Sequence, residues 1–130
     1  RQQRAIDQKV VHRVTVVPGP ADRLTPMIKH IVAWNFADEA EGADKATNVA
    51  LAAKALRELP DKVPGILEFE VITPQDGLDT SFDLALYSVF TDADALSGYA
   101  VHPAHLPVVA LIKARVTGRS VIDYDPAESA

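Results

Sequence analysis

The chain has 130 residues, of which 48% are hydrophobic, and it contains no cysteine. This length supports one domain with a single core, and the lack of cysteine excludes disulfides, thiol catalysis and thiolate metal sites. Acidic residues outnumber Lys and Arg by 18 to 13, which argues against binding to nucleic acid. No apolar run is long enough for a membrane helix. We therefore expect a soluble, cytoplasmic protein.

Residues 1–26 differ in charge from the rest and form a predicted N-terminal extension. They hold five Lys or Arg and two Asp, whereas the remainder holds eight and sixteen acidic residues. The segment Val10 to Val17 has the composition of a strand, and Pro18 ends it. Two interpretations stay open, a strand added to a sheet edge, which we favour, or a structureless leader before Met27.

The first predicted strand and helix follow this extension. Residues 28–36 alternate, with His30, Val32 and Trp34 on one side, and this alternation predicts a strand. Apolar residues then recur at helical spacing from Ala46, and the helix should stop near Leu59 because the next residue is proline.

Two more strands are predicted in the middle of the chain. Residues 66–72 place Leu67, Phe69 and Val71 on one side, and residues 82–90 form the next strand. A Pro-Gln-Asp-Gly turn at residues 74–77 separates them.

The last third of the chain predicts two helices and a strand. Thr91 or Asp92 caps a short helix that ends at Tyr99. Pro103 suits the first turn of a longer helix, which Gly118 should end. Residues 119–124 form the closing strand.

The predicted order β-α-β-β-α-β indicates an α+β, ferredoxin-like sheet with its helices on one face. The strands, however, carry apolar residues on both sides, such as Val32 and Trp34 opposite Ile31 and Ala33. A sheet that is apolar on both faces needs a second cover, and a chain of this length has none to spare. The pattern therefore predicts a homodimer.

The densest chemistry lies in the run from Tyr99 to His105, which also contains His102 and Pro103. Near a helix N-terminus His105 should favour its neutral form, which can accept a proton, and Tyr99 could supply the matching O–H donor. We expect His105 to be the functional imidazole and His102 to bond local backbone. The alternative is that these groups only cap a helix and fill polar gaps in a core.

Four motifs together resemble the stress-responsive α/β-barrel (Dabb) family over residues 27–126, which leaves residues 127–130 as a C-terminal tail. They are Met27-Ile-Lys-His-Ile-Val, Leu59-Pro-Asp-Lys-Val-Pro-Gly65-Ile, the Tyr99 to His105 run and Val121-Ile-Asp-Tyr124. The resemblance implies a dimeric α/β barrel with a cavity between the sheet and the helices.

Family members related to a plant polyketide cyclase imply roles for several of these residues. By resemblance Tyr99 and His105 form a catalytic acid–base pair, and the ligand-binding residues are His30, Val32, Trp34, Leu84 and Leu86. Leu84 stands where that cyclase has a histidine, and Trp34 where a smaller aliphatic residue is usual, so the cavity should be narrower or more apolar. We expect a small apolar ligand; the alternative is a cofactor-independent cyclase or isomerase.

A metal site is a further alternative, drawn from His102, His105 and the upstream Asp92 and Asp94. Such a site needs three or four converging ligands, and His30 would have to join from another strand. We therefore expect neither a metal nor a cofactor.

Overall fold

The computed structural model describes residues 27–129 of the chain. The elements in order are β1 (Ile28–Phe36), β2 (Glu39–Ala40), β3 (Ala43–Asp44), α1 (Lys45–Arg57), β4 (Ile66–Ile72), β5 (Leu84–Phe90), α2 (Ala93–Ala100), α3 (Leu106–Lys113), β6 (Val116–Tyr124) and α4 (Pro126–Ser129). No helix in this range is long and apolar enough to cross a membrane. The predicted strand at Val10 to Val17 lies outside the described residues.

The main sheet is four-stranded and antiparallel, in the order β4-β5-β1-β6. This order confirms the predicted α+β, ferredoxin-like fold with helices on one face. The first strand, β1, lies inside the sheet, and the closing strand, β6, forms one edge. A residue of β1 that faces the helices therefore has a neighbour on β6 that faces them too.

The inner face of the sheet carries the core. Val32 lies opposite Leu86, and Trp34 lies opposite Leu84. All four side chains are buried, and they belong to one cluster with Leu56 of α1 and other apolar side chains of the helices. The period-two alternation of β1 produces this arrangement because alternate residues of a strand point to the same face.

The outer face of the sheet is also apolar. Ile31 lies between Tyr87 on β5 and Ile122 on β6. The Ile122 side chain is 60% exposed, and Ile72 on β4 is 40% exposed. Within residues 27–129 the helices pack on the other side, so this face is the one that the two-sided pattern predicted to need a second cover.

The long helix begins later than the sequence predicted. Pro103 does not open α3, which starts at Leu106. The carbonyl of His102 accepts hydrogen bonds from the N–H groups of His105 (2.9 Å) and Leu106 (3.1 Å), so residues 102–105 form a separate turn. Pro107 has no N–H to donate to the carbonyl four residues earlier, which interrupts the helical ladder between the turn and α3.

Two irregularities in the sheet explain two further differences between the predicted and the observed structure. Gly118 does not end a helix; it lies in β6, beside a shift of register at Asn35 and Phe36. A glycine there avoids a side chain where the strand bends. A second shift lies between Ile66 and Glu68, and it leaves Leu67 52% exposed instead of aligned with Phe69. Sequence alternation cannot reveal a bulge, because an inserted residue changes the face of its neighbours.

Candidate functional site

A cavity of about 770 Å³ opens between the inner face of the sheet and the helices α2 and α3. Its walls are mainly apolar and include Val32, Trp34 and Leu86. The polar groups His30, Tyr99, His105 and Asp123 also line it. Sites for small molecules commonly combine apolar walls with a few placed polar groups.

His30 and Asp123 meet because β1 and β6 are paired. The two residues are direct cross-strand partners, and the His30 Nδ1 lies 2.5 Å from the Asp123 Oδ1. A carboxylate only accepts, so Nδ1 carries the proton and donates it. On the other side of β1, the Ser88 hydroxyl donates to the His30 carbonyl oxygen at 3.1 Å. The contact with Asp123 fixes the orientation of the His30 ring, and the bond from Ser88 fixes its backbone.

Tyr99 lies in the last turn of α2 and is 2% exposed. Its ring contacts Phe90 at a centroid distance of 5.0 Å and His30 at 6.3 Å. Burial raises the pKa of the Tyr99 phenol above its ordinary value, so it remains protonated. Among the described residues its hydroxyl has no hydrogen-bond partner, which leaves a buried donor at the cavity wall.

His105 stacks on Tyr99, with ring centroids 4.0 Å apart and an interplanar angle of 28°. Its Nδ1 lies 3.3 Å from the Ala100 carbonyl oxygen, so Nδ1 donates and Nε2 is an acceptor. Burial lowers the pKa of His105; the positive charges of His30 and Arg119 act in the same direction, and backbone hydrogen bonds partly oppose them. Burial therefore favours the neutral imidazole; the sequence analysis expected the same form from a different cause, the positive end of a helix.

His102 has a different environment from His105. Its Nδ1 accepts a hydrogen bond from the Ala104 N–H at 3.0 Å. The ring therefore closes the turn that Pro103 begins, and it is absent from the residues that line the cavity. The expectation that His102 bonds local backbone agrees with this contact.

The alternative of a metal site is not supported by any cluster of ligand side chains in the part of the chain that the structure describes. Nowhere in residues 27–129 do three or more His, Asp or Glu side chains converge as the ligands of a metal ion would. His102 is held by its own turn, and His30 is hydrogen-bonded to Asp123.

Comparison with known proteins identifies the family. Residues 28–126 match the model of the Stress Responsive A/B Barrel Domain, or Dabb. The chain belongs to the Dabb family. This confirms the resemblance that the four sequence motifs indicated, over almost the same residues.

Relatives of this Dabb chain cover most of its length. An uncharacterized protein of Streptomyces coelicolor is 31% identical over 99 residues, which are 76% of this chain and 99% of that protein. A dimeric protein of unknown function and ferredoxin-like fold from Bacteroides fragilis is 29% identical, with a TM-score of 0.66 over 76% of this chain and 95% of the other. The hydroxynitrile lyase of Passiflora edulis shares the fold, at 15% identity and a TM-score of 0.64 over 78% of this chain and 94% of the other.

Most of the residues predicted to line the Dabb cavity do so. Tyr99, His105, His30, Val32, Trp34 and Leu86 all belong to its wall. Leu84 does not; it is buried and lines a separate depression of about 230 Å³ with Phe82. Leu84 is the first residue of β5, directly after the loop that contains Thr80 and Phe82, and it lines the depression together with these loop residues.

Sequence reasoning missed Asp123, Arg119 and Lys113, which also line the cavity. Asp123 belongs to the Val121-Ile-Asp-Tyr124 motif, which the sequence used only to place the last strand. Once β6 is paired with β1, Asp123 must lie beside His30 and Arg119 beside Trp34. The available signal was therefore the register of the two strands.

Proposed function

We propose that this Dabb protein binds a small, largely apolar molecule whose oxygen atom accepts a hydrogen bond from Tyr99. The observation that supports this most directly is the buried Tyr99 hydroxyl, which lacks a partner among the described residues and lines the cavity. A buried donor without an acceptor costs about 1–3 kcal/mol. The oxygen of a bound ligand offsets that cost.

The size and walls of the cavity support the same proposal. Its volume of about 770 Å³ lies within the roughly 300–1,000 Å³ that is usual for small-molecule sites. Trp34, Val32 and Leu86 supply apolar surface, which favours a ligand with a hydrocarbon body.

Binding can be followed through the protein's own fluorescence, because Trp34 is the single tryptophan and it lines the cavity. We expect 2-decanone, a neutral apolar ketone, to change the Trp34 emission in a saturable way. Tyr99→Phe should weaken binding roughly tenfold, since it removes one hydrogen bond to the ketone. Tyr124→Phe, a tyrosine outside the cavity, is the matched control. If adding 2-decanone leaves the Trp34 fluorescence unchanged, the proposal is contradicted.

A second candidate is a cofactor-independent enzyme that moves a proton, and the opposite protonation states of Tyr99 and His105 favour it. Acid–base pairs typically consist of one group that keeps its proton, the acid, beside a group with a free lone pair that can accept one, the base. In this scheme the His105 Nε2 removes a proton from the carbon beside a ketone, and the Tyr99 O–H donates to the ketone oxygen. The Asp123 carboxylate holds the His30 ring in place beside them.

Exchange of the protons beside the ketone of 2-decanone, followed by NMR in D₂O, tests this second candidate. We expect exchange faster than in buffer alone, and a loss of about a hundredfold in His105→Ala because the base is removed. His102→Ala should keep the exchange rate and lose about 1 kcal/mol of stability, the cost of a missing cap. A wild-type rate equal to that of the buffer excludes this activity for the ketone and leaves the binding proposal standing.

We further propose that the protein is a homodimer that pairs the outer faces of two sheets. The exposed apolar side chains Ile122 and Ile72 on that face support this. So does the Bacteroides fragilis relative, which is described as dimeric.

A further inference from the structure

The cavity has a long wall formed by one edge strand of the sheet. Arg119, Val121 and Asp123 are alternate residues of β6, and all three line the cavity. They lie opposite Trp34, Val32 and His30 respectively. Because a strand rises about 3.3–3.4 Å per residue, the backbone positions of Arg119 and Asp123 are about 13 Å apart. The wall therefore has a cationic end, an apolar middle and the end at which Asp123 holds His30.

The cationic end carries two charges that no acidic side chain neutralises within residues 27–129. Lys113, the last residue of α3, lines the cavity together with Arg119. The ion pairs of the described chain involve Lys45, Lys54, Lys62 and His30, and neither Lys113 nor Arg119 is among them. Asp123 is hydrogen-bonded to His30 and lies about 13 Å along the strand from Arg119, so it does not neutralise the cationic end.

Both cations are exposed, and their positions in the fold differ. A lysine in the last turn of a helix is favourable because of the helix dipole, which suffices for Lys113. Arg119 lies on a strand, so the dipole gives no reason for its position. Arg119 lines the cavity, and its positive charge also helps to lower the pKa of His105.

We propose that the cavity binds an apolar oxo acid, a molecule with a carboxylate at one end and a ketone at the other. The carboxylate lies at Arg119 and Lys113, and the ketone oxygen accepts from Tyr99. A guanidinium group can bond both oxygens of a carboxylate, and an ammonium group adds Coulomb attraction. The hydrocarbon between them covers Val109 and Val121, which are 42% and 46% exposed and line the cavity. This inference rests on the ligand-binding function proposed above.

Two probes that differ only in charge test the inference. 9-Oxodecanoate carries a ketone and a carboxylate, and 9-oxodecanamide replaces the carboxylate with a neutral amide. In the Trp34 fluorescence titration at low ionic strength we expect the carboxylate to bind roughly tenfold more tightly. Added salt should reduce this preference, because the two cations are at the protein surface and salt screens them.

Neutral substitutions of the two cations identify the source of the preference. Arg119→Gln and Lys113→Gln should each weaken binding of the carboxylate and leave binding of the amide within about twofold. Both side chains are exposed, so neither substitution disturbs the core. The matched control is Arg57→Gln, an exposed arginine in the last turn of α1 that does not line the cavity; it should leave both affinities unchanged.

The outcomes separate this inference from the function on which it rests. Equal affinity for the two probes, or a preference that survives in the Arg119→Gln, Lys113→Gln double variant, overturns the assignment of a carboxylate and leaves binding of a neutral ketone in place. If neither probe nor 2-decanone changes the Trp34 emission, the ligand-binding function itself is wrong.

Discussion

Tyr99 and His105 show how one short run of sequence produces two opposite protonation states. Tyr99 is almost completely buried, and burial disfavours the phenolate. His105 is half-buried, and burial disfavours the imidazolium. The same physical cause therefore keeps the acid protonated and the base free, and the stacked rings place both at one cavity wall. His102, whose ring accepts a hydrogen bond from the Ala104 N–H, does not line the cavity.

The lowered pKa of His105 predicts how stability depends on pH. The unfolded chain takes up a proton on this histidine as the pH falls through about 6.5, whereas the native protein does so only at lower pH. The unfolded state thus binds more protons in this window, and the free energy of unfolding should fall on acidification below about 6.5. In urea denaturation, His105→Gln should show a smaller fall than the wild type. Parallel curves for the two proteins would contradict this environment for His105.

At the scale of elements, the sequence predicted the helices and strands but not the exact way they begin and end. The alternating apolar pattern located β1, and proline and glycine residues marked most of the boundaries between the later elements. Both signals are local in the sequence. The start of α3 depended on Pro107 and not on Pro103, and Leu67 became exposed through a bulge. The start of α3 is set locally by Pro107, whereas the bulge depends on the pairing of β4 with β5, elsewhere in the chain. Strand register, which brings Asp123 to His30, is equally non-local.

The contact between Gly65 and α2 gives a prediction at this scale. Gly65 has φ +86°, and a Cβ placed there would lie 2.7 Å from the Ala95 Cβ. Gly65→Ala should cost about 1–3 kcal/mol for the forced packing in addition to about 1–2 kcal/mol for the left-handed backbone. Gly77→Ala is the control for the backbone cost, because Gly77 has φ +82° and no atom near the added Cβ. Urea denaturation measures both.

The same pair of variants also separates folding from function. Ala95 belongs to α2, the helix that carries Tyr99, so a displacement of α2 should move the Tyr99 hydroxyl. We expect Gly65→Ala to bind 2-decanone more weakly than the wild type and Gly77→Ala to bind it equally. Equal stability losses in the two variants would show that α2 yields to the added methyl group without cost.

For the whole molecule, the sequence predicted the family, the fold and the need for a second cover over the sheet. The need for a second cover could be read from the sequence because it shows within one strand: Ile31 and Ala33 are apolar on one face, and Val32 and Trp34 are apolar on the other. The sequence could not predict the length of the cavity or its cationic end. Those features require Lys113 of α3 and Arg119 of β6 to line the same cavity, which only the finished fold brings about.

The outer face of the sheet carries the last prediction, which concerns the oligomeric state. Light scattering of the wild type should give twice the chain mass of 14.0 kDa, because pairing two sheets removes Ile122 and Ile72 from water. Ile122→Asp should shift the protein to the monomer, since each interface would bury two unpaired carboxylates. Leu51→Asp is the matched control: Leu51 is 40% exposed but lies on α1, on the helix side of the sheet. A monomeric wild type, or the same dissociation in both variants, would show that the apolar outer face serves another purpose.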